Sequence, residues 1–140
     1  MIRIFAGGKK HQKWVEEVCR EYEKRLKKPF NIEWRFFDED KLEKATEEIK
    51  NAIMILMDER GEIWDSPQFS KKIAGAFERG KDVVLVIGGA YGVSEAMRNG
   101  ADFVWSLSKL VFPHQICRVI VSEQIYRAQE IYLGHPYHHE

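Results

Sequence analysis

Two patterns of hydrophobic residues alternate along the chain. Strand-like segments at residues 1–6, 32–36, 53–57, 83–87 and 103–105 either alternate apolar with polar positions or are apolar throughout. Segments with apolar positions three and four residues apart, the spacing of a helix, lie between them. An order of strand and helix repeated about five times predicts an α/β sandwich with a mainly parallel sheet.

The helical spacing predicts helices over residues 10–28, 38–51, 66–79, 93–99 and 113–133. Ser66 followed by Pro67 is typical of a helix start, with a hydroxyl cap before the proline. The last helix is apolar on more than one side. We therefore expect it to be buried on two sides, either inside the core or at a subunit interface.

The strand at residues 83–87 runs into the sequence Gly-Gly-Ala-Tyr-Gly at residues 88–92. In open α/β sheets, ligands bind beyond the carboxyl ends of the strands, and glycine allows a backbone to come close. The spacing matches neither the dinucleotide fingerprint nor the phosphate-binding loop. Two interpretations stay open, a site where a ligand approaches the backbone or a turn that merely needs a positive φ.

Residues 106–112, Ser-Leu-Ser-Lys-Leu-Val-Phe, form an apolar loop before Pro113. We expect this loop to pack inward, with peptide groups that need partners, and a ligand can be one of them. The strand at residues 53–57 should end beside the glycine sequence. Three adjacent strand ends with little charge between them predict a pocket for a flat, weakly charged heterocycle such as adenine.

The titratable candidates allow two interpretations each. Lys109 is a solvated side chain or a ligand contact, and His114 is a structural donor or a reactive group. The tail at residues 134–140, Gly-His-Pro-Tyr-His-His-Glu, supplies acids and bases that titrate near neutral pH, or it is a frayed terminus. Its histidine spacing matches no known metal site, and no cysteine is close, so we predict no metal.

Composition narrows the class of protein. A chain of 140 residues is most simply one domain, and 22 basic residues balance 22 acidic ones, so charge alone does not indicate nucleic-acid binding. Cys19 and Cys117 fit helical apolar patterns and are interpreted as reduced thiols. The sequence has no charged leader before an apolar run and no apolar stretch of membrane length, which predicts a cytoplasmic protein.

Five motifs follow one another along the second half of the chain. They are Val-Ile-Gly-Gly at 86–89, Ser-Leu-Ser-Lys with Phe-Pro-His-Gln between 106 and 115, Arg-Val at 118–119, Glu-Gln-Ile-Tyr-Arg-Ala at 123–128 and Pro-Tyr-His at 136–138. Together they resemble the RlmH (YbeA-like) family, the SPOUT-class methyltransferases of large-subunit ribosomal RNA. The similarity extends over essentially the whole chain.

The resemblance implies a specific fold and activity. The fold is an α/β three-layer sandwich with a mainly parallel sheet and a C-terminal deep trefoil knot, in a single SPOUT-type domain over residues 1–140. The activity is transfer of a methyl group from S-adenosylmethionine to N3 of a pseudouridine in large-subunit (23S) rRNA of the assembled ribosome. The protein would act as a homodimer, with neither DNA nor a membrane as a partner.

Site residues follow from the match to the family's motifs. The predicted contacts of S-adenosylmethionine are Met57, Gly88, Leu107, Ser108, Lys109, Leu110, Val111 and Phe112. The family usually has leucine where Met57 stands, which is a mild apolar exchange. In the tail, His138 is the candidate base or orienting group, and Tyr137 is a wall or hydrogen-bond donor. His139 replaces the Arg or Lys of most family members.

Other functions stay open at this point. The first alternative is a non-catalytic ribosome-binding module of the same fold, the second an enzyme for another nucleotide, and the third a metal-dependent hydrolase using the tail histidines. A basic patch near the first helix would suit RNA, although an ordinary solvated face has the same composition. Its members would be Lys9, Lys10, Lys13, Arg20, Lys24, Arg25, Lys27 and Lys28.

Overall fold

The computed structural model describes residues 1–139, in which five strands and five helices alternate. In chain order they are β1 (Ile2–Gly7), α1 (Lys13–Glu23), β2 (Ile32–Phe37), α2 (Glu39–Glu47), β3 (Ala52–Ile63), α3 (Ser66–Glu78), β4 (Asp82–Ile87), α4 (Glu95–Gly100), β5 (Phe103–Ser106) and α5 (His114–Leu133). The predicted alternation of strand and helix is confirmed. Glu140, the last residue of the tail, lies outside the described residues.

The five strands form one sheet in the order β2-β1-β4-β3-β5, and each neighbouring pair is parallel. Ile55 lies beside Leu85 of β4, and Met57 lies beside Trp105 of β5. Parallel strands all end at the same edge of a sheet, so the ends of β4, β3 and β5 are neighbours. This confirms the predicted meeting of three strand ends.

Helices cover both faces of the sheet and make the predicted three-layer sandwich. The larger apolar cluster joins alternate strand residues such as Ile4, Ile55 and Leu85 to α3 and α5. The smaller cluster joins the opposite residues of the same strands, such as Leu56 and Val86, to α2 and α4. Because both faces are covered, the strands are nearly continuous apolar runs. The trefoil knot stays a prediction.

Several predicted boundaries are wrong, among them the end of β3 and the cap of α3. We predicted that β3 ends at Met57, but it continues to Ile63, and its pairing with β5 shifts register between Met57 and Glu62. The strand passes so close to β5 that a side chain at Gly61 would overlap the Val104 carbonyl group. Helix α3 is capped by Asp65 rather than Ser66, in a capping box with Gln68.

Helix α5 is buried on one side within the protomer, so burial of its second side at a subunit interface stays a prediction. Val121, Ile125 and Ala128 face the core, whereas Ile116 is 37% exposed. Cys19 and Cys117 are free thiols, in agreement with the interpretation as reduced cysteines. Among the described helices, none is both long and apolar enough to cross a membrane.

Candidate functional site

A cleft of about 470 Å³ opens at the end of β4, beside residues 57–60 of β3 and the start of α5. We call it the strand-end cleft. The predicted site residues Met57, Gly88, Val111 and Phe112 line it, together with His114. A smaller hollow of about 90 Å³ adjoins it and shares Met57, Val111 and Phe112 as walls. The volume of the cleft lies in the usual range of small-molecule sites.

The glycine sequence forms one wall of the strand-end cleft. A side chain at Gly88 would lie 2.7 Å from the Gly92 carbonyl oxygen, so the backbone itself occupies the space that a Cβ atom needs. Gly92 has a φ of 75°, which favours glycine. Gly92 therefore fits the turn interpretation, and Gly88 is needed for the close packing of its own backbone against Gly92. The approach of a ligand to this backbone stays a prediction.

Helix α2 holds the same wall from outside the cleft. The Glu39 carboxylate accepts a hydrogen bond from the Tyr91 N–H at 3.3 Å and fills the space beside the Gly89 backbone. Glu43, one turn later, accepts a hydrogen bond from the Ser94 hydroxyl, and Ser94 caps α4. Sequence reasoning found α2 only as a charged surface helix and missed both carboxylates.

The loop at residues 107–112 faces solvent more than we expected. Leu110 is 69% exposed and Val111 is 75% exposed, so the prediction of inward packing is wrong for them. Leu107 and Phe112 are half-buried.

The loop backbone offers free hydrogen-bonding groups. The Ser108 hydroxyl accepts the Leu110 N–H at 3.0 Å, and the Ser108 carbonyl accepts the Ser106 hydroxyl at 2.7 Å. Within residues 1–139, the N–H groups of Lys109 and Val111 donate to no protein acceptor. A ligand at this loop can therefore be held by peptide groups, as predicted for an adenine.

Trp105 carries a third free donor at the site. Its side chain is 2% exposed and lines the hollow beside the loop, and its indole N–H has no acceptor in the described chain. Buried N–H groups nearly always have a partner, so this one points to an acceptor from a ligand or water. The free donors and the open cleft fit a ligand with ring nitrogens and hydroxyl groups.

The cleft holds more charge than we expected. Asp58 and Arg98 form an ion pair at 3.3 Å in its wall, and the Arg98 guanidinium also donates to the Val93 carbonyl at 3.1 Å. Glu59 and Arg60 line the cleft as well. Asp58, Glu59 and Arg60 lie in the part of β3 that continues past its predicted end at Met57. The prediction of little charge between the strand ends is therefore wrong.

Tyr137 and His138 of the tail are docked against α5, which contradicts the interpretation as a frayed terminus. The Tyr137 ring packs edge-on against Tyr126, with centroids 4.7 Å apart, and the Arg127 guanidinium lies 4.9 Å from the Tyr137 centroid. Arg127 donates to His138 Nδ1 at 3.0 Å and pairs with Glu123 at 2.7 Å. Burial raises the pKa of the Tyr137 hydroxyl.

His138 lies in a different pocket from Gly88. Its pocket has a volume of about 750 Å³ and contains Trp64, Trp105 and Gln124. Leu107 and Phe112 line this pocket and also the hollow next to the strand-end cleft, so the loop separates the two sites. Within one protomer, the candidate catalytic residue is therefore beside the loop but apart from the glycine wall. Lys109 is exposed to solvent.

The hydrogen bond to Arg127 assigns the His138 tautomer. A guanidinium only donates, so Nδ1 of His138 is the acceptor, and the proton of the neutral ring lies on Nε2. In this arrangement His138 presents an N–H group rather than a lone pair. The geometry fits the predicted orienting role better than the predicted base.

Two further histidines lie near the buried Arg118. Burial and the Arg118 charge lower the pKa of His11 to about 4, and the same two causes lower the pKa of His114. Both rings are therefore neutral at pH 7. His114 lines the strand-end cleft at the start of α5. Among the described residues, no three metal-ligating side chains come together.

The predicted basic patch is partly neutralised on α1. Arg20 pairs with Glu16 at 2.6 Å, and Lys24 pairs with Glu21 at 3.1 Å. Lys9 and Lys10 lie in the loop after β1 and line a pocket that shares Ala90 and His114 with the strand-end cleft. This arrangement favours the solvated-face interpretation for the helix and leaves the loop as a separate feature.

Comparison with known proteins agrees with this geometry. Residues 1–138 match the family described as predicted SPOUT methyltransferase. The chain is 37% identical to the ribosomal RNA large subunit methyltransferase H of Methylobacillus flagellatus, covering 99% of both chains.

Two solved structures share the fold. One is a probable methylase family protein from Haemophilus influenzae Rd KW20, with a TM-score of 0.64 and 11% identity over 99% of this chain and 70% of that one. The other is the SpoU methyltransferase AviRb from Streptomyces viridochromogenes in complex with AdoMet, with a TM-score of 0.51 and 13% identity over 94% of this chain and 61% of that one.

Proposed function

The chain belongs to the SPOUT methyltransferase family, within the group of ribosomal RNA large subunit methyltransferases H, and we propose that it methylates large-subunit rRNA with S-adenosylmethionine as methyl donor. The finer proposal is methylation of N3 of a pseudouridine in the assembled ribosome by a homodimer. A ribosomal substrate implies a cytoplasmic enzyme. The donor would supply an electrophilic methyl group on a sulfonium.

The strand-end cleft is the observation that carries this proposal. It is open, it has a ligand-sized volume of about 470 Å³, and the predicted donor contacts Met57, Gly88 and Phe112 line it. Free N–H groups at Lys109 and Val111 suit recognition of a heterocycle by backbone. A filled or closed cleft would have contradicted the proposal.

The residues of the chain contribute to methyl transfer mainly by positioning the reactants. The loop at residues 107–112 would hold the adenosine part of the donor, and the wall at Gly88 would let the rest lie close to the backbone. Holding two reactants in line lowers the activation barrier, because the reactants no longer lose translational and rotational freedom in the reaction step. This effect lowers the barrier by roughly 7–11 kcal/mol in the best cases.

The tail would act on the acceptor nucleotide. We propose that Tyr137 forms a wall and that the Nε2–H of His138, held by Arg127, orients the acceptor base. Loss of the acceptor N3 proton then needs a base, and a positioned one would add roughly 10²–10⁴-fold. Because His138 and Gly88 lie on opposite sides of the loop in one protomer, a homodimer could complete the site.

Methyl transfer from isotopically labelled S-adenosylmethionine tests the proposal directly. The acceptors are whole ribosomes, free large subunits and naked rRNA, and the product nucleoside is identified by mass spectrometry. We expect transfer to ribosomes and a methylated pseudouridine. Calorimetry with S-adenosylmethionine separates the alternatives, because a non-catalytic module of this fold need not bind the donor.

Truncation of the chain after Pro136 tests the tail. We expect unchanged donor binding and a loss of methyl transfer of roughly 10²-fold, since Tyr137 and His138, which position the acceptor, are removed while the strand-end cleft is intact. Donor affinity is measured by calorimetry and transfer by the labelled assay. A truncated protein that methylates ribosomes at the full rate would show that the tail has no part in the reaction.

A further inference from the structure

The loop after β1 is held by two buried polar side chains of α5. We call residues 8–12 the β1 loop. Arg118 is fully buried, and its Nη2 donates to the carbonyl oxygens of Gly7 at 3.3 Å and Lys9 at 2.9 Å. Gln115, 7% exposed, donates to the Lys10 carbonyl at 3.2 Å and accepts the Gln12 N–H at 3.1 Å. Three of these four hydrogen bonds hold the surface loop itself from inside, and the fourth is to the last residue of β1.

The use of a buried guanidinium to hold a loop is unusual. Burial of a charge costs several kcal/mol of solvation free energy. A buried partner of opposite charge usually offsets much of this cost. Among residues 1–139, Arg118 has no carboxylate partner, and its charge faces backbone carbonyls, His11 Nδ1 at 3.4 Å and the Phe36 ring. The folded protein therefore buries a guanidinium at a cost in solvation free energy, and the hydrogen bonds of that group fix the backbone of the β1 loop.

The held loop presents two cations to solvent. Lys9 and Lys10 are both exposed, and in the described part of the chain neither forms an ion pair. Their backbones are fixed while their ammonium groups are free to bind. Preorganised groups bind a ligand with less loss of conformational entropy. The lysines of the β1 loop differ in this respect from the paired cations of α1.

The β1 loop lies next to the strand-end cleft. It lines a pocket of about 880 Å³, which shares Ala90 and His114 with that cleft. The acidic residues Asp38, Glu39 and Asp40 line the same pocket, and a Glu39 carboxylate oxygen lies 3.8 Å from the position of a side chain at Gly8. These carboxylates would repel a polyanion, so a phosphodiester backbone would contact the exposed ammonium groups of Lys9 and Lys10 rather than the acidic side of the pocket.

We propose that the β1 loop is a preorganised phosphate-binding site, at which Lys9 and Lys10 bind the rRNA backbone beside the acceptor nucleotide. The inference rests on the proposed rRNA methylation and names the contact that places the acceptor at the strand-end cleft. Arg118 and Gln115 are positioning residues in this arrangement. They act through the loop and touch neither RNA nor donor.

The double variant Lys9→Gln/Lys10→Gln tests the site. The matched control is Lys44→Gln/Lys71→Gln, which removes two exposed lysines of α2 and α3 outside the predicted basic patch. KM for ribosomes is measured at several salt concentrations, and S-adenosylmethionine affinity is measured by calorimetry. We expect KM to rise at least about tenfold, with the slope of log KM against log salt reduced by about 2, since each lost phosphate contact removes about 1.

Donor affinity and kcat at saturating ribosomes should be unchanged in both double variants. A loop variant with the KM and salt slope of the control would overturn the inference. Failure of the proposed function would look different, because the unaltered protein would then bind no S-adenosylmethionine and methylate no ribosomes.

Gln115→Ala tests the positioning role. It removes two hydrogen bonds to the β1 loop but keeps both lysine charges, so we expect a KM for ribosomes raised several-fold and an unchanged donor affinity. Thermal unfolding checks that the variant is folded under the assay conditions. An unchanged KM in the folded variant would show that the loop needs no support from α5.

Discussion

At the scale of single residues, His11 shows how a buried charge determines the state of its neighbour. Its Nδ1 lies 3.4 Å from Arg118 Nη1, and its ring packs edge-on against Trp34 and Phe36, with centroids 4.3 Å and 5.0 Å away. Burial and the Arg118 charge lower its pKa from 6.5 to about 4. The neutral ring accepts a hydrogen bond that a protonated ring would have to give up.

This shift predicts how stability depends on pH. Between pH 6.5 and about 4 the unfolded chain protonates His11 while the folded chain does not, so acidification through this window lowers the free energy of unfolding. Above pH 6.5 the residue is neutral in both states and contributes no pH dependence. Denaturant unfolding as a function of pH should show a flatter profile in His11→Gln, whose amide oxygen can still accept from Arg118. An identical slope in both proteins would contradict the assignment.

Gly88 and Gly75 form a matched pair of glycines. A methyl group at Gly88 would lie 2.7 Å from the Gly92 carbonyl oxygen, whereas nothing lies within 4 Å of the corresponding position at Gly75 in α3. We expect Gly88→Ala to weaken S-adenosylmethionine binding at least about tenfold, because the cleft wall must move. Gly75→Ala should stabilise the protein by roughly 0.5–1 kcal/mol and leave binding unchanged. Calorimetry and thermal unfolding measure the two effects, and equal donor affinity in both variants would refute the role of Gly88.

At the scale of secondary-structure elements, the pattern of the chain predicted which elements exist more reliably than where they end. The helical pattern at residues 10–28 continues past the end of α1 at Glu23. The Gln129 side chain of α5 accepts the Lys27 N–H at 2.7 Å and donates to the Arg25 carbonyl at 3.0 Å. A residue more than a hundred positions away therefore holds this segment, and local periodicity cannot reveal that.

Helix α2 supports the glycine wall of the cleft, a role that only its contacts in the folded chain reveal. Because Glu39 accepts the Tyr91 N–H, we expect Glu39→Ala to loosen the glycine wall and to lower S-adenosylmethionine affinity by about fivefold, the equivalent of one hydrogen bond of about 1 kcal/mol. Glu39→Gln keeps an oxygen acceptor and should bind nearly normally. Glu47→Ala, an exposed position on the same helix, is the control. Loss of affinity in Glu39→Gln equal to that in Glu39→Ala would exclude this mechanism.

At the scale of the whole molecule, the sheet brings the site together. The order β2-β1-β4-β3-β5 makes neighbours of strand ends that are far apart in sequence, from Met57 to Gly88 to Ser106. All five strands join one sheet, and the family match spans residues 1–138. We propose on this basis that residues 1–140 form one SPOUT-type domain.

The exposed side of α5 is where we expect the second subunit. Ile116 is 37% exposed, and Ile120 lies one turn further along the same side. Ile116→Glu should convert a dimer to monomers, because a carboxylate in an apolar interface would lose its water. Ile63→Glu, at another exposed apolar residue, should leave the dimer intact. Sedimentation velocity distinguishes the two outcomes, and a dimer that persists in Ile116→Glu would assign the interface to another surface.

The sequence alone determined the alternation of strands and helices, the buried apolar strands, the family and the residues expected at the cleft. These follow from short-range periodicity and from motifs that can be read along the chain. Only the tertiary structure decided that β3 continues past Met57, that Leu110 and Val111 face solvent, and that Arg118 holds the β1 loop. The reason is physical, since burial, hydrogen-bond partners and pKa values depend on groups that are distant in sequence and meet only when the chain folds.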